Sequence, residues 1–441
     1  MLWDQTWQVF VELLFFSQDI VAFALKFVPF VLFLELPLYV IGWMGVLRRV
    51  IGSLPEHALL PPFFPKVSCV ITCYAEGQGV RNTMLSLLEQ IYPGHIEIIA
   101  VLDGAAQNRE TYKALKAIYP LMPKYRNRSF RIIPKIQRGG RVSSLNVGLQ
   151  YAGGEILMAL DGDTSFDNQM VACAVRPFRD PHVVAASGPL RVRNARNSLV
   201  TRLQHLEYLL TVHAAKLGLA EWNAMNNVPG AFGIFRKSFV DHVGGWNTGT
   251  AEDLDLTLRI KQYLRRHPQL KIVFIPGAVA HTDVPEDFRN FLRQRLRWDG
   301  DLIYIYFNKH GLGISPGLMG WRNFLFLLWY GVIFQVVMPF MIALYTVFLF
   351  IAYPAPIVLG TMLLIYVFYF LLTLAQLLLY LALLSDRPKD DLRAFWILPI
   401  FPAFQFCVRL WSAAANLNQI FNAGHLDSAM APLWVLRKGK P

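Results

Sequence analysis

The middle of the chain alternates short apolar runs with segments of helical periodicity. Apolar runs at 67–73, 96–102 and 156–160 are separated by polar loops and by segments whose apolar residues recur at helical spacing. Uninterrupted apolar runs of this length are typical of strands that are buried on both faces of a parallel sheet. The pattern therefore predicts βαβ units and an α/β domain over about residues 60–287.

Apolar blocks of about twenty or more residues lie on both sides of this domain. Blocks of this length cross a bilayer as helices. Arg48 and Arg49 follow the second block and place the central domain on the cytoplasmic side. No signal-peptide cleavage pattern precedes the first block, so we expect it to remain in the mature protein. The predicted spans are residues 7–25, which contain two acids, 27–47, 323–353 and 357–384.

A further apolar block, residues 395–411, is interrupted by Pro399, Pro402 and Arg409. Two interpretations remain open, a span that carries a functional charge and a re-entrant segment.

Residues 288–307 have the pattern of an amphipathic helix. Arg289, Arg293 and Arg297 recur every four residues beside apolar and aromatic positions. A basic stripe of this kind fits a helix that lies at an anionic membrane surface. The stretch at 198–224 also has helical periodicity, and we interpret it as a helix that packs across the domain or lies on the bilayer.

The composition agrees with a membrane protein. Of 441 residues, 54% are hydrophobic and only 16% are charged, which is too apolar for an ordinary soluble enzyme of this length. The net charge of +12 is explained by basic residues beside cytoplasmic helix ends, so we expect no nucleic-acid partner. The four cysteines show no metal-binding spacing, and buried packing in a reducing compartment accounts for them.

Acidic residues follow three of the predicted strands. Glu76, Asp103 and the pair Asp161 and Asp163 all stand at strand ends, where parallel sheets bind ligands. Two carboxylates separated by one glycine suit Mg²⁺ or Mn²⁺ that bridges to substrate phosphates, although Asp-Gly turns are also common. The repeated placement predicts one shared crevice.

Four elements in chain order resemble the motif set of the membrane-embedded, processive family 2 glycosyltransferases, the synthases of cellulose, chitin, hyaluronan and poly-N-acetylglucosamine. They are Asp103 after the second strand, Asp161-Gly162-Asp163, Ala251-Glu252-Asp253, and the QxxRW element that runs from Gln294 to Trp298. Ala251 stands where the family has Thr, and Cys73 precedes Tyr74 where many relatives have Pro. Neither change removes a charged group, so we expect an active enzyme.

The resemblance implies a GT-A-type, Rossmann-like α/β cytoplasmic glycosyltransferase domain inserted between α-helical transmembrane segments. The implied divisions are residues 1–50 for N-terminal spans, 60–287 for the catalytic domain, 288–320 for interface helices with QxxRW, and 321–441 for the transmembrane helices that form a channel.

The resemblance also assigns roles to residues. Asp253 would be the general base, and Asp163 would coordinate a divalent cation, Mg²⁺ or Mn²⁺. Donor-binding roles fall on Tyr74, Glu76, Asp103, Arg141, Asp161, Gln294 and Arg297. Acceptor-binding roles fall on Gly230, Ala231, Phe232, Glu252 and Trp298.

The implied activity is inverting, processive transfer from a UDP-sugar to the non-reducing end of a growing β-linked exopolysaccharide, coupled to secretion across the plasma (inner) membrane. The implied partners are the donor, the polysaccharide acceptor, the bilayer, and an accessory subunit or export complex. Two alternatives are a non-processive enzyme that makes a glycolipid, similar to ceramide glucosyltransferase, and a silent scaffold, which would lack the base or the metal pair. The sequence does not identify the sugar or the linkage.

Overall fold

The computed structural model describes residues 31–52, 62–247 and 249–427. The predicted span at 7–25 lies outside these residues. The strands are β1 (Val67–Cys73), β2 (Ile96–Leu102), β3 (Arg128–Pro134), β4 (Ile156–Asp161), β5 (Ser165–Phe166), β6 (Val183–Ser187), β7 (Leu190–Val192), β8 (Phe232–Arg236), β9 (Lys271–Phe274) and β10 (Ala280–Thr282).

Seven strands form one mixed sheet in the order β3-β2-β1-β4-β8-β6-β9. The first four of these are mutually parallel, whereas β8 runs antiparallel to both of its neighbours. A second, three-stranded sheet has the order β5-β10-β7. Strands joined by helical segments confirm the α/β domain that the alternating pattern predicts.

Apolar residues on both faces of the sheet explain the uninterrupted apolar runs. Along β1, Cys69 and Ile71 belong to the core on one face, while Val70 packs with Ile99 and Leu145 on the other. Helices cover both faces, so neither side of the strand is solvated.

The strand register brings several chain segments to one edge. Thr72 near the end of β1 pairs with Asp161 at the end of β4, and Leu102 at the end of β2 pairs with Cys73. Because β8 is antiparallel, it is its first residue, Phe232, that pairs with Leu160 at this edge. The loop that enters β8 therefore meets the loops that leave β1, β2 and β4.

Helical segments lie between the strands and after the last of them. The stretch predicted at 198–224 is helical but contains a π-helical part in its middle. The segments are Val80–Leu88, Arg109–Lys116, Gly140–Tyr151, Met170–Val175, Leu199–Glu207, Tyr208–Ala215 (π), Lys216–Glu221, Lys237–His242, Glu252–Tyr263 and Phe288–Ile303, which continues as a π-helix to Lys309.

Within the described residues, two helices are long and apolar enough to cross a membrane, Trp321–Ala352 and Ala355–Leu383. Their positions match the predicted spans at 323–353 and 357–384. The predicted span at 27–47 is not among them. Its described part lies in a helical segment that begins at Val31 and ends at Gly52, and this segment contains Glu35, Arg48 and Arg49, which reduce its apolar character.

The block with two prolines forms a bent pair of helices, Pro388–Ile397 and Phe401–Asn422, at 76° to each other. The second of these helices packs along Phe288–Ile303: the Trp411 indole N–H donates to the Leu292 carbonyl at 2.9 Å, and Ser412 donates to Asp299 at 2.6 Å. The interruption of this apolar block therefore coincides with a sharp bend. The helix after the bend packs along the helix Phe288–Ile303.

The connection after the second span is held against the α/β domain by ion pairs. Arg191 contacts Asp386 at 2.6 Å, and Arg387 contacts Asp167 at 2.6 Å. The connection and the sheet domain therefore lie at the same end of the membrane helices.

Candidate active site

Arg141 joins four segments at the catalytic edge of the sheet. It lies in the first turn of Gly140–Tyr151, and its guanidinium donates to Glu252 Oε1 at 2.5 Å, to the Gly230 carbonyl at 2.7 Å and to Thr72 Oγ1 at 2.9 Å. It also forms an ion pair with Asp161. The planar, forked guanidinium suits such a junction because its donors point in fixed directions.

Glu252 depends on this contact because it is buried. Its exposed fraction is 5%, and burial raises the pKa of its carboxyl, with Arg141 opposing the shift and the charge of Asp253 adding to it. Removing the arginine would leave a buried carboxylate without a cation, which is a costly arrangement.

Asp253 lies beside this junction with a fixed orientation. Its Oδ2 accepts from the Gly230 N–H at 2.9 Å and from the Asn227 amide at 3.3 Å, and its Oδ1 accepts from the Leu254 N–H at 2.7 Å. Two residues further on, buried Asp255 accepts from His310 at 2.8 Å. The start of the Glu252–Tyr263 helix is thus anchored on two sides.

Asp161 and Asp163 have different surroundings. Asp161 forms an ion pair with Arg141. Asp163 is exposed, and it accepts a hydrogen bond from the Thr164 hydroxyl at 3.3 Å. Between them, a Cβ at Gly162 would lie 2.9 Å from Glu76 Cδ, so the middle position of the DxD element requires glycine. This close approach places Glu76 next to the acidic pair.

Glu76 has an unusual environment for a carboxylate. Burial raises its pKa and the neighbouring charge of Asp163 raises it further. Its Oε2 is buried and has no hydrogen-bond partner among the described residues. An oxygen of this kind next to an exposed carboxylate suits a bound cation.

Within the described part of the chain, no group of three or more His, Cys, Asp or Glu side chains could hold a metal by itself. A Mg²⁺-like cation that binds nucleotides usually takes only one or two carboxylates, together with water and phosphate oxygens. Asp163 with Glu76 fits that donor set.

Asp103 is held by the chain itself. Its carboxylate accepts from Lys135 at 2.5 Å and from the N–H groups of Gly139 and Gly140 at 2.8 Å and 2.7 Å, and its exposed fraction is 4%. These N–H groups begin the helix that carries Arg141, and a carboxylate is favourable at a helix N-terminus. Asp103 thereby orients Arg141, and little of its carboxylate surface is left for a donor.

Two other residues that the sequence predicts to bind substrates differ in how exposed they are. Tyr74 is exposed, and the Arg138 guanidinium lies 4.0 Å from its ring centroid, so it remains accessible. Phe232 is fully buried against Phe166, with ring centroids 5.7 Å apart. The Phe232 side chain therefore packs in the core, and a contribution of the loop at 228–232 to an acceptor site stays a prediction.

The QxxRW element lies on the helix Phe288–Ile303. Arg295 pairs with Glu207 at 2.6 Å and lies 4.9 Å from the Trp298 ring centroid. Trp298 keeps 38% of its surface exposed, and Gln294 Oε1 is buried without a partner among the described residues. Arg297 is partly exposed.

Several residues of the site are not among those predicted from the sequence. Lys135 could have been found, since it follows β3 at the same edge as the acids. Asn227, Thr250 and Asp301 carry no such signal, because their partners are more than twenty residues away in the chain.

A cavity of about 390 Å³ lies among the membrane helices. Apolar and aromatic side chains make up most of its lining, with tyrosine, threonine and glutamine side chains and Arg409 among them. Tyr330 and Thr346 both line it, and both lie on the helix Trp321–Ala352. The cavity thus extends along much of this helix.

Asp253 lines a separate, smaller pocket, together with Pro229 and Gly230. Ala215 lines the cavity, and the next residue, Lys216, has a pKa that burial lowers to about 8 while the charge of Asp253 opposes the shift. Lys216 therefore lies within electrostatic range of the candidate base.

A family model described as Glycosyl transferase family group 2 matches residues 156–384, just over half of the chain, and the model Glycosyl transferase family 2 matches residues 68–243. The chain belongs to glycosyltransferase family 2. It is an enzyme, and the matched residues of the two models together include the sheet, the DxD and QxxRW elements and both candidate spans.

Two similar curated proteins are synthases of the same polysaccharide. The chain is 29% identical over 234 residues to the poly-β-1,6-N-acetyl-D-glucosamine synthase of Staphylococcus epidermidis, and 28% identical over 233 residues to that of Staphylococcus aureus. Each alignment covers 53% of this chain and 53% of the relative. The chain thus spans about half the length of the curated relatives it matches.

A solved structure also resembles this glycosyltransferase. It is a mannosyltransferase from Pyrobaculum calidifontis in complex with GDP-Man and Mn²⁺, with a TM-score of 0.51 and 18% identity over 88% of this chain and 97% of that one. This similarity shows the GT-A-like fold and confirms the predicted fold class.

Proposed function

We propose that this glycosyltransferase transfers a sugar, with inversion, from a UDP-sugar to the non-reducing end of a β-linked polysaccharide and passes the product through its membrane helices. The observation that carries the proposal is the fixed carboxylate of Asp253 beside the Arg141 junction, in a domain joined to membrane helices that enclose a cavity.

Asp253 acts as the general base of the transfer. It removes the proton of the acceptor hydroxyl, which then attacks the anomeric carbon on the side opposite the departing diphosphate. The Gly230 and Leu254 N–H groups hold the carboxylate in one orientation. The carboxylate therefore does not have to be ordered when the acceptor binds.

Positive charge stabilises the leaving diphosphate. Arg141 and Arg297 supply it from the two sides of the site, and Asp163 with Glu76 would hold a divalent cation, Mg²⁺ or Mn²⁺, that neutralises charge on the phosphates. Glu252 holds Arg141 in place. Trp298 supplies an apolar face for the acceptor sugar, next to polar groups that bind its edges.

The cavity serves as the path of the product. Tyrosine rings with hydroxyl groups, such as Tyr330 and Tyr366, and amides such as Gln376 line it, and these groups can bind both the faces and the hydroxyls of sugars. We propose the divisions at 60–287, 288–320 and 321–441 on this basis, with the catalytic domain in the cytoplasm and the chain in the plasma membrane.

The relatives favour UDP-N-acetylglucosamine as the first donor to test. The full-length protein in lipid vesicles, supplied with UDP-N-acetylglucosamine, UDP-glucose or GDP-mannose, should release free UDP and form a product of high molecular weight with one of the two UDP-sugars. Gel filtration of the product measures its size, and Asp253→Asn is the inactive control.

A lipid-extractable product with a single sugar would instead support the glycolipid alternative, which the mostly apolar lining of the cavity also accommodates. Release of nucleotide only from GDP-mannose would contradict the proposed donor.

Removal of divalent cations should stop turnover, and added Mn²⁺ or Mg²⁺ should restore it. Asp163→Asn should raise the Mn²⁺ concentration needed for half-maximal activity by about tenfold or more, equivalent to about 1.4 kcal/mol of binding. Asp241→Asn, at another exposed aspartate, which pairs with Lys237, serves as the matched control. Equal Mn²⁺ requirements in both variants and the wild type would remove Asp163 from the cation site.

A further inference from the structure

The backbone just before Asp253 has an unfavourable conformation. Ala251 has φ of +43°, in the left-handed region, and it is the N-cap of the Glu252–Tyr263 helix without a side-chain hydrogen bond. A residue other than glycine in this region must be held by its surroundings. Alanine cannot supply the cap that a hydroxyl at this position would give.

The preceding residue makes a contact that alanine cannot make. The Thr250 hydroxyl donates to Asp301 Oδ2 on the helix Phe288–Ile303. Both partners are buried, with exposed fractions of 2% and 4%. Because a buried polar pair of this kind is costly to break, the hydrogen bond fixes the chain directly before the base.

Asp301 lies one helical turn beyond Arg297 and Trp298 on the same helix. The hydrogen bond to Thr250 therefore joins the segment that carries Asp253 to the helix that carries the diphosphate and acceptor groups. No other side-chain hydrogen bond found among the described residues joins Gly249, Thr250 or Ala251 to that helix.

We infer that Asp301 is a positioning residue for the transfer: through Thr250 it holds the left-handed turn at Ala251 and so sets the position of Asp253 relative to the QxxRW helix. This inference rests on the proposed role of Asp253 as the base. Asp301 is buried, and its effect is exerted through Thr250.

The charge around Asp301 gives the contact a pH dependence. Burial raises the pKa of Asp301 to about 7, Arg297 on its own helix opposes the shift, and Glu252 and Asp253 on the facing helix add to it. Tyr304, one turn further along, is the other titratable group affected by its charge. Asp301 is therefore protonated below about pH 7 and ionised above it.

The test compares four variants of the full-length protein in vesicles, with the nucleotide sugar that the wild type uses. Thr250→Val and Asp301→Ala should lower kcat by about 10- to 100-fold, the cost of a misplacement of about 1 Å, with KM and UDP affinity nearly unchanged. Thr250→Ser, which keeps the hydroxyl, should retain wild-type kcat. Asp301→Asn, which keeps an acceptor, should match the wild type at pH 6 and differ from it at pH 8.

Hydrogen exchange provides a measurement that does not need turnover. Thr250→Val should speed exchange of the amides at 251–256 and leave those of Val80–Leu88 unchanged. If exchange and kcat of Thr250→Val equal those of the wild type, the inference is wrong. If the wild type itself shows no turnover with any nucleotide sugar, the proposed function fails, and the exchange data still decide whether Asp301 holds this turn.

Discussion

Replacing Asp253 by Asn is expected to lower kcat by about 10²- to 10⁴-fold, the range for loss of a positioned general base. The Asn side chain can still accept from the Gly230 or the Leu254 N–H, so the turn should persist. It cannot take the proton of the acceptor hydroxyl. Because we propose that Arg141, Arg297 and a cation at Asp163 bind the diphosphate, and not Asp253, the affinity for UDP should change little.

Initial rates of UDP release and a separate titration with UDP measure the two effects. Asp241→Asn is the matched control, since Asp241 is an exposed carboxylate whose ion pair among the described residues is with Lys237, one turn away. Wild-type turnover in Asp253→Asn would assign the base to another residue. A parallel loss of UDP affinity would show that Asp253 acts on the donor.

Replacing Arg141 by Ala should have the second large effect, on stability and on activity together. Glu252 would remain buried without its cation, and breaking a buried pair in this way destabilises a protein by about 3–5 kcal/mol. The Gly230 carbonyl and Asp161 would lose their partner as well. We therefore expect a lower melting temperature, weak UDP binding and no measurable transfer.

Arg141→Lys separates charge from geometry. Lysine keeps the positive charge but cannot donate in several fixed directions, so it should regain part of the stability and little of the activity. Arg109→Ala, at an exposed arginine, is the control. A melting temperature and turnover near those of the wild type in Arg141→Ala would show that the four contacts of Arg141 do not hold the site together.

The sequence predicts the parts of this fold that depend on local pattern. The strands are apolar runs buried on both faces, and acids that follow them must meet at one edge when the strands are parallel. Glu76, Asp161 and Asp163 meet this expectation. The two C-terminal spans are equally local, since length and apolarity suffice to recognise them.

The remaining features depend on contacts between distant residues. Nothing near Asp103 in the sequence shows that the N–H groups of Gly139 and Gly140 will occupy its carboxylate. The burial of Phe232 follows from the pairing of β8 with β4, which a strand pattern alone does not give. The Thr250–Asp301 contact forms because the helix Phe288–Ile303 packs against the segment before Asp253. No local pattern in the sequence predicts this packing.

The reversed direction of β8 has a consequence for how such enzymes can diversify. Under the proposed roles, the donor half of the site comes from strand ends and its acceptor half from a strand start, and the chain between Asp163 and Gly230 leaves this edge of the sheet and returns to it. Insertions, deletions or exchanged segments in that excursion can alter what approaches Asp253 without changing the nucleotide half. A single scaffold can thereby accommodate new acceptors while it keeps one donor chemistry.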